Sequence, residues 1–156
     1  MATVQQAIAP LKMRCPGCGV ELGDLPASQT NDMECPGCGY KIRWDGACWD
    51  ACFDQTYPRS FSRQWILWEG GKLGNPNLVY GRDPQYYFRE FLEGSSLSEE
   101  RLKSMKILEV GFGHGRLLRQ FQERSPAAYG IDLSRPLKSA QLRPGSAFFG
   151  NLLASF

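Results

Sequence analysis

Lys106-Ile107-Leu108-Glu109-Val110-Gly111-Phe112-Gly113-His114-Gly115-Arg116-Leu117 is the stretch that decides how this chain folds. It opens with an apolar run, Lys106 to Val110, of strand rather than helix length. Glycines then fall at every second position, and from Arg116 to Glu123 the apolar residues Leu117, Leu118 and Phe121 recur at helical spacing. Strand, glycine turn and helix in that order predict a buried parallel strand followed by a crossover. Downstream, Ala127 to Ile131 reads as a second strand, Pro136 to Leu142 as a short helix, and Ala147 to Gly150 as the start of a third strand. This alternation predicts an α/β fold with right-handed crossovers.

A turn of this kind brings backbone close to a ligand, and the helix start behind it offers unpaired amides. Asp132 ends the second strand, a place where nucleotide-binding units carry an acid that accepts hydrogen bonds from ribose hydroxyls. A dinucleotide site needs glycine or alanine at position 116, and Arg116 stands there instead, crowding the helix–strand contact.

With Glu109 two residues before the first glycine, the run resembles motif I of the class I S-adenosylmethionine (SAM) dependent methyltransferases. The resemblance covers Lys106 to about Phe156. Upstream, Ser60-Phe61-Ser62-Arg63-Gln64-Trp65 is similar to a segment of bacterial methyltransferases that carry an N-terminal zinc-ribbon-like domain. What the resemblance implies is an incomplete Rossmann-like SAM-binding fold holding the first three parallel strands. It implies that Glu109, Gly111, Gly113 and Gly115, with Phe112 between them, line the methionine end of SAM. Asp132 would hold the ribose hydroxyls and Leu133 would lie near the adenine. Asn151 departs from the acid that many relatives set against the adenine amino group. The family's complete sheet has further strands, the fourth of which contributes to the substrate site. The chain is therefore expected to be a truncated piece with an unpaired sheet edge and exposed apolar side chains, and no catalytic residue is named. The activity implied is methyl transfer from SAM to a small-molecule or glycan-type acceptor.

Cysteine usage points to a second site. Cys15-Pro-Gly-Cys18-Gly and Cys35-Pro-Gly-Cys38-Gly are near-identical knuckles. Each tight turn presents two thiolates to one metal, and two knuckles complete a tetrahedral sulfur set that suits a structural zinc ion, although iron takes the same ligands. A redox pair explains the duplication less well. Cys48 and Cys52 are spaced to share a helical face as extra ligands, but small buried hydrophobes are the simpler reading. His114, the one histidine, is read as a packing or solvent-facing loop residue, and Trp65 and Trp68 as packing on the core rather than covering a substrate.

The remaining organisation follows from composition. The 156 residues, 42% hydrophobic and 22% charged, are globular in type. Residues 1 to 13 read as a leader, 14 to 45 as the zinc ribbon, 46 to 104 as an aromatic connecting segment with short helices, and 105 to 156 as the truncated Rossmann-like half. Within the connecting segment, Asp83 as N-cap, Pro84 at the first turn, Tyr87, Phe88, Phe91 and Leu92 as the apolar face and Gly94 as the stop predict one helix. Ser96 with Glu99 predicts a capping box that opens another through Leu102. A net charge of +2 argues against a nucleic-acid or membrane partner by bulk electrostatics. Lys12, Arg14, Lys41 and Arg43 near the ribbon read as a solvated face. Without a signal peptide or a long apolar span, a cytoplasmic setting is expected. The rival readings are a non-enzymatic zinc-ribbon adaptor for protein or nucleic acid, with a remnant half-Rossmann unit, and a nicotinamide-binding fragment.

Overall fold

The computed structural model describes residues 12–24, 31–44, 46, 48–51, 63–68, 70–75, 78, 81–133, 142, 147–150 and 153–155. They form a small mixed α/β fold. Two hairpin arms come first: β1 (Lys12–Arg14) with β2 (Glu21–Asp24), and β3 (Met33–Glu34) with β4 (Lys41–Trp44), each pair antiparallel. Lys12 and Met13, which the sequence reading assigned to a leader, thus belong to the first arm, and Met13 is buried because its strand alternates exposed and core-facing residues. After β5 (Trp49–Ala51), a helical stretch over 63–68 (α1) precedes α2 (Pro84–Ser95), α3 (Glu99–Leu102), β6 (Ile107–Val110), α4 (Arg116–Gln122), β7 (Ala128–Asp132), β8 (Ala147–Gly150) and β9 (Leu153–Ser155).

One sheet runs in the order β3-β4-β5-β8-β7-β6, and a smaller one in the order β2-β1-β9. Within the larger sheet, β6 with β7, β7 with β8, and β8 with β5 are parallel, whereas β5 with β4 is antiparallel. The second cysteine arm therefore continues the parallel strands directly, Trp49 pairing with Phe148 and Ala51 with Gly150. β5 thus pairs the edge of β8 that β7 leaves open. Residues 153–155 form a strand antiparallel to β1.

Period-two alternation along β7 explains how the layers meet. Tyr129 and Ile131 pack against a core made by the cysteine arms and β5, namely Met13, Cys15, Cys35, Tyr40, Ile42, Trp49 and Ala51. Ala128, on the opposite face, joins Phe88, Leu102 and Phe121 beneath α2, α3 and α4. The cysteine arms thus cover the face of the strand that the helices leave bare. Tyr40 fastens this contact by donating its hydroxyl proton to the Ala51 carbonyl at 2.7 Å. The strand expected to be buried, β6, is only half-buried and is the last in the sheet order, with β7 as its neighbour among the described residues. Its Val110 remains 73% exposed, because the arms reach across β7 and stop there.

The helices illustrate local chemistry well. Asp83 caps α2, accepting from the Tyr86 amide at 2.7 Å, with Pro84 in the first turn. The expected stop at Gly94 lies inside the helix; Ser96, left-handed at φ 56°, ends it instead. Ser96 is consequently spent on termination, and Ser98 caps α3, its hydroxyl accepting from the Arg101 amide. Arg124 ties the helical layer together: its guanidinium meets Glu99 at 2.7 Å and lies 4.3 Å from the Phe88 ring centroid. The helix expected over Pro136 to Leu142 lies outside the described residues except for buried Leu142. Among the described residues no helix is long and apolar enough to cross a membrane.

Candidate metal centre and glycine-loop site

The two knuckles fold alike because they share a sequence. The Cys15 amide donates to Val20 O and the Gly19 amide to Cys15 O, and the Cys35 and Gly39 amides repeat the pattern on Tyr40 O and Cys35 O, all at 2.8 Å. Closing each turn requires left-handed backbone at Gly19 and Gly39, with φ of 75° and 71°, which glycine adopts without the strain a Cβ brings. Inside each turn an amide, Gly17 or Gly37, donates to the first sulfur at 3.3 and 3.4 Å.

These turns converge. Cys15 Sγ lies 3.6 Å from Cys38 Sγ, Cys18 Sγ lies 3.5 Å from Cys35 Sγ, and all four sulfurs fall within 4.8 Å of one another. A tetrahedron with metal–sulfur bonds of about 2.3 Å has edges of about 3.8 Å, so the set fits a zinc-sized ion. Charge argues the same way. Burial pushes the Cys35 thiol up, yet the Gly37 and Cys38 amides more than offset it and bring the thiol to about 7. At Cys38 the Tyr40 amide acts downward, but the Cys18 sulfur and its neighbours prevail and push it up to about 12. Four thiolates do not ionise this close together without a cation among them. Cys48, weighed as an extra ligand, stands apart from this group. It is fully buried with Phe112, Leu118 and Leu142, as a small apolar residue. Cys52 lies outside the described residues.

The second site gathers at the ends of β6 and β7. Gly111, Gly113 and Gly115 all take left-handed backbone, with φ of 74°, 52° and 74°, and this alternation turns the strand into α4 within a few residues. Asp132, leaving β7, accepts a hydrogen bond from the Gly113 amide at 2.7 Å. Strand register sets Glu109 beside Gly130, on the same face as the loop. Its Oε2 is buried and has no hydrogen-bond partner among the described residues. Burial, and then the charge of Asp132, push this carboxyl up to about 7.

The residues singled out from sequence are thus distributed unevenly. Glu109 and Gly113 both lie by Asp132; Gly111 and Gly115 shape the same turn; Leu133, next in the chain after Asp132, is 40% exposed. Phe112 turns its ring inward, so that only its backbone remains with the loop. Asn151 lies outside the described residues. His114 is buried in the turn, its ring centroid 6.3 Å from that of Trp65.

Two features escaped the sequence reading. Gly130 lies under Leu118 and Phe112, where a Cβ would come within 2.5 and 2.6 Å of their side chains. Its place in the middle of a strand was the available signal. The other is α1. Trp65 rests against Gly113 so closely that a Cβ there would meet the indole at 2.6 Å, and Trp68 lies 5.2 Å from the Arg116 guanidinium carbon. Their i, i+3 spacing puts both rings on one helical side, a pattern hidden by the irregular aromatics around them.

Comparison with protein-family models and with curated proteins finds no match for this chain. The chemistry of the two sites therefore rests on their own residues. One is a compact set of four sulfurs that could hold a metal ion such as zinc. The other is a glycine turn flanked by two carboxyl groups, one of them desolvated.

Proposed function

We propose that this chain is a zinc ribbon joined to the first part of a Rossmann-like SAM-binding unit, belonging to a class I methyltransferase. The observation that carries the reading is the buried Glu109 carboxyl, whose Oε2 has no hydrogen-bond partner among the described residues and which lies beside Asp132 at a glycine turn. Two carboxyl groups at one turn favour a cationic ligand with hydrogen-bond donors and repel a phosphate. SAM offers an ammonium group, a sulfonium and ribose hydroxyls. A dinucleotide brings a pyrophosphate instead, and the Gly113 amide is already engaged by Asp132.

In this reading Glu109 receives the ligand's ammonium group and Asp132 the ribose hydroxyls, while the backbone of Gly111 and Gly113 allows close approach. Leu133, exposed beside Asp132, provides apolar surface for the adenine. The sulfonium supplies an activated methyl group that passes by in-line displacement to an acceptor of small-molecule or glycan type. Positioning and exclusion of water are the chain's own contributions. Cys15, Cys18, Cys35 and Cys38 would hold zinc in a closed, structural site.

Calorimetric titration of the zinc-loaded chain with S-adenosylhomocysteine, NAD and a nucleic-acid oligomer tests the proposal. Binding of the first alone is expected. Binding of NAD alone would move the assignment to a nicotinamide site, and binding of the oligomer alone to an adaptor.

A further inference from the structure

The indole of Trp65 occupies an unusual seat. It lies in van der Waals contact with Gly113, the residue whose amide is fixed by the Asp132 carboxylate, and any side chain at position 113 would collide with it. The ring is half-buried, tilted against His114, and carried on a helical stretch that Trp68 and Arg116 fasten to the start of α4 by a cation–π contact. The benzo ring of an indole, a desolvated carboxyl and an aspartate therefore border the same turn. Each of the three attracts positive charge, and the ring does so without a hydrogen bond.

We infer that Trp65 is a specificity-determining residue, its indole face selecting a sulfonium ligand at the glycine turn over the neutral thioether of the same nucleoside. This rests on the SAM-binding reading above. Glu109 and Asp132 hold the ammonium and ribose groups that the two ligands share, and the pull of their charges on a sulfonium is the same in every variant at position 65. The contribution of the ring is the one that changes with the residue there. The glycine at 113 has a defined purpose in this arrangement: it admits the indole to the backbone, where alanine would hold it off by several tenths of an ångström or more.

The test is calorimetric titration of the zinc-loaded full chain with S-adenosylmethionine and with S-adenosylhomocysteine, comparing wild type with Trp65→Tyr, Trp65→Phe and Trp65→Leu. The quantity read is the ratio of the two dissociation constants. A cation–π contact is worth roughly a three- to thirtyfold preference. Preference for the sulfonium is expected to fall from Trp through Tyr and Phe to Leu, with homocysteine-ligand affinity changing much less. The aromatic variants keep the series readable should Trp65→Leu fail to fold. A ratio unchanged across the series, or both ligands weakened equally, overturns the inference while leaving the SAM-binding reading intact. If wild type binds neither ligand, the inference falls together with that reading.

Discussion

Glu109→Gln should make the ligand-free protein more stable while weakening its hold on a cationic ligand. In the folded chain the Glu109 carboxyl is pushed from an ordinary 4.5 up to about 7, mainly by burial and secondarily by Asp132. Below pH 4.5 both folded and unfolded states hold the proton, so the group contributes nothing. Between 4.5 and 7 the folded state binds more protons than the unfolded one, and stability falls as pH rises, by up to about 1.4 kcal/mol per pH unit. Above 7 the full cost is present, about 3 kcal/mol, of which glutamine should recover roughly 1–3 kcal/mol because its amide still lacks a partner. Urea denaturation of the zinc-loaded wild type and variant between pH 5.5 and 8 reads this directly, since the zinc contribution cancels in the difference. The advantage of the variant should widen by about 2 kcal/mol across that interval. In parallel, affinity of the wild type for S-adenosylhomocysteine should improve as pH rises toward 7 and then level off, while the variant binds weakly at every pH. A stability difference that does not change with pH, or a variant less stable at pH 8, would refute the argument that Glu109 is desolvated and lacks a partner.

Other consequences are equally concrete. Removing zinc with a chelator, or substituting Cys38→Ser, should abolish the ribbon's cooperative unfolding transition and expose Trp49 to quenchers, because Cys15 and Cys35 share a core with Ile42 and Trp49; a mercurial titration should release one zinc per chain. Gly130→Ala should destabilise by about 1–3 kcal/mol, measured by urea melts, since its Cβ meets Leu118 and Phe112 at 2.5 and 2.6 Å. Arg124→Ala should cost about 1–2 kcal/mol by the same assay, losing packing over Phe88 as well as the contact with Glu99.

Much of this was legible in the residues because local rules governed it. The knuckles announced their own turn, Asp83 and Pro84 announced the start of α2, and the glycine turn announced a strand before it and a helix after it. Boundaries set by competing local choices were harder. Ser96 suits both the end of one helix and the start of the next, and only the chain's left-handed turn at that residue decides. The pairings of the cysteine arms with the parallel strands were not legible at all. Nothing in Trp49-Asp50-Ala51 says that it will lie parallel to Phe148-Phe149-Gly150 and carry the cysteine arm onto the sheet. Likewise, the half-exposed state of β6 depends on how far the cysteine arms reach, which is a property of tertiary packing rather than of Lys106 to Val110. Of the candidate site, the nearness of Glu109 and Asp132 to the glycine turn could be read from their places at the strand ends, whereas the seat of Trp65 on Gly113 could not, because contact between residues so far apart leaves no trace in spacing.

Under the proposed function a nucleoside bearing an ammonium group binds where the ends of β6 and β7 meet. Amide chemical shifts of the nitrogen-15 labelled, zinc-loaded chain, followed during addition of S-adenosylhomocysteine, test it most directly. The largest changes are expected at Gly111, Gly113, Gly115 and Asp132, with the knuckle amides of Gly17 and Gly37 little affected. Saturating changes confined to the knuckles, or none anywhere at millimolar ligand, would contradict it.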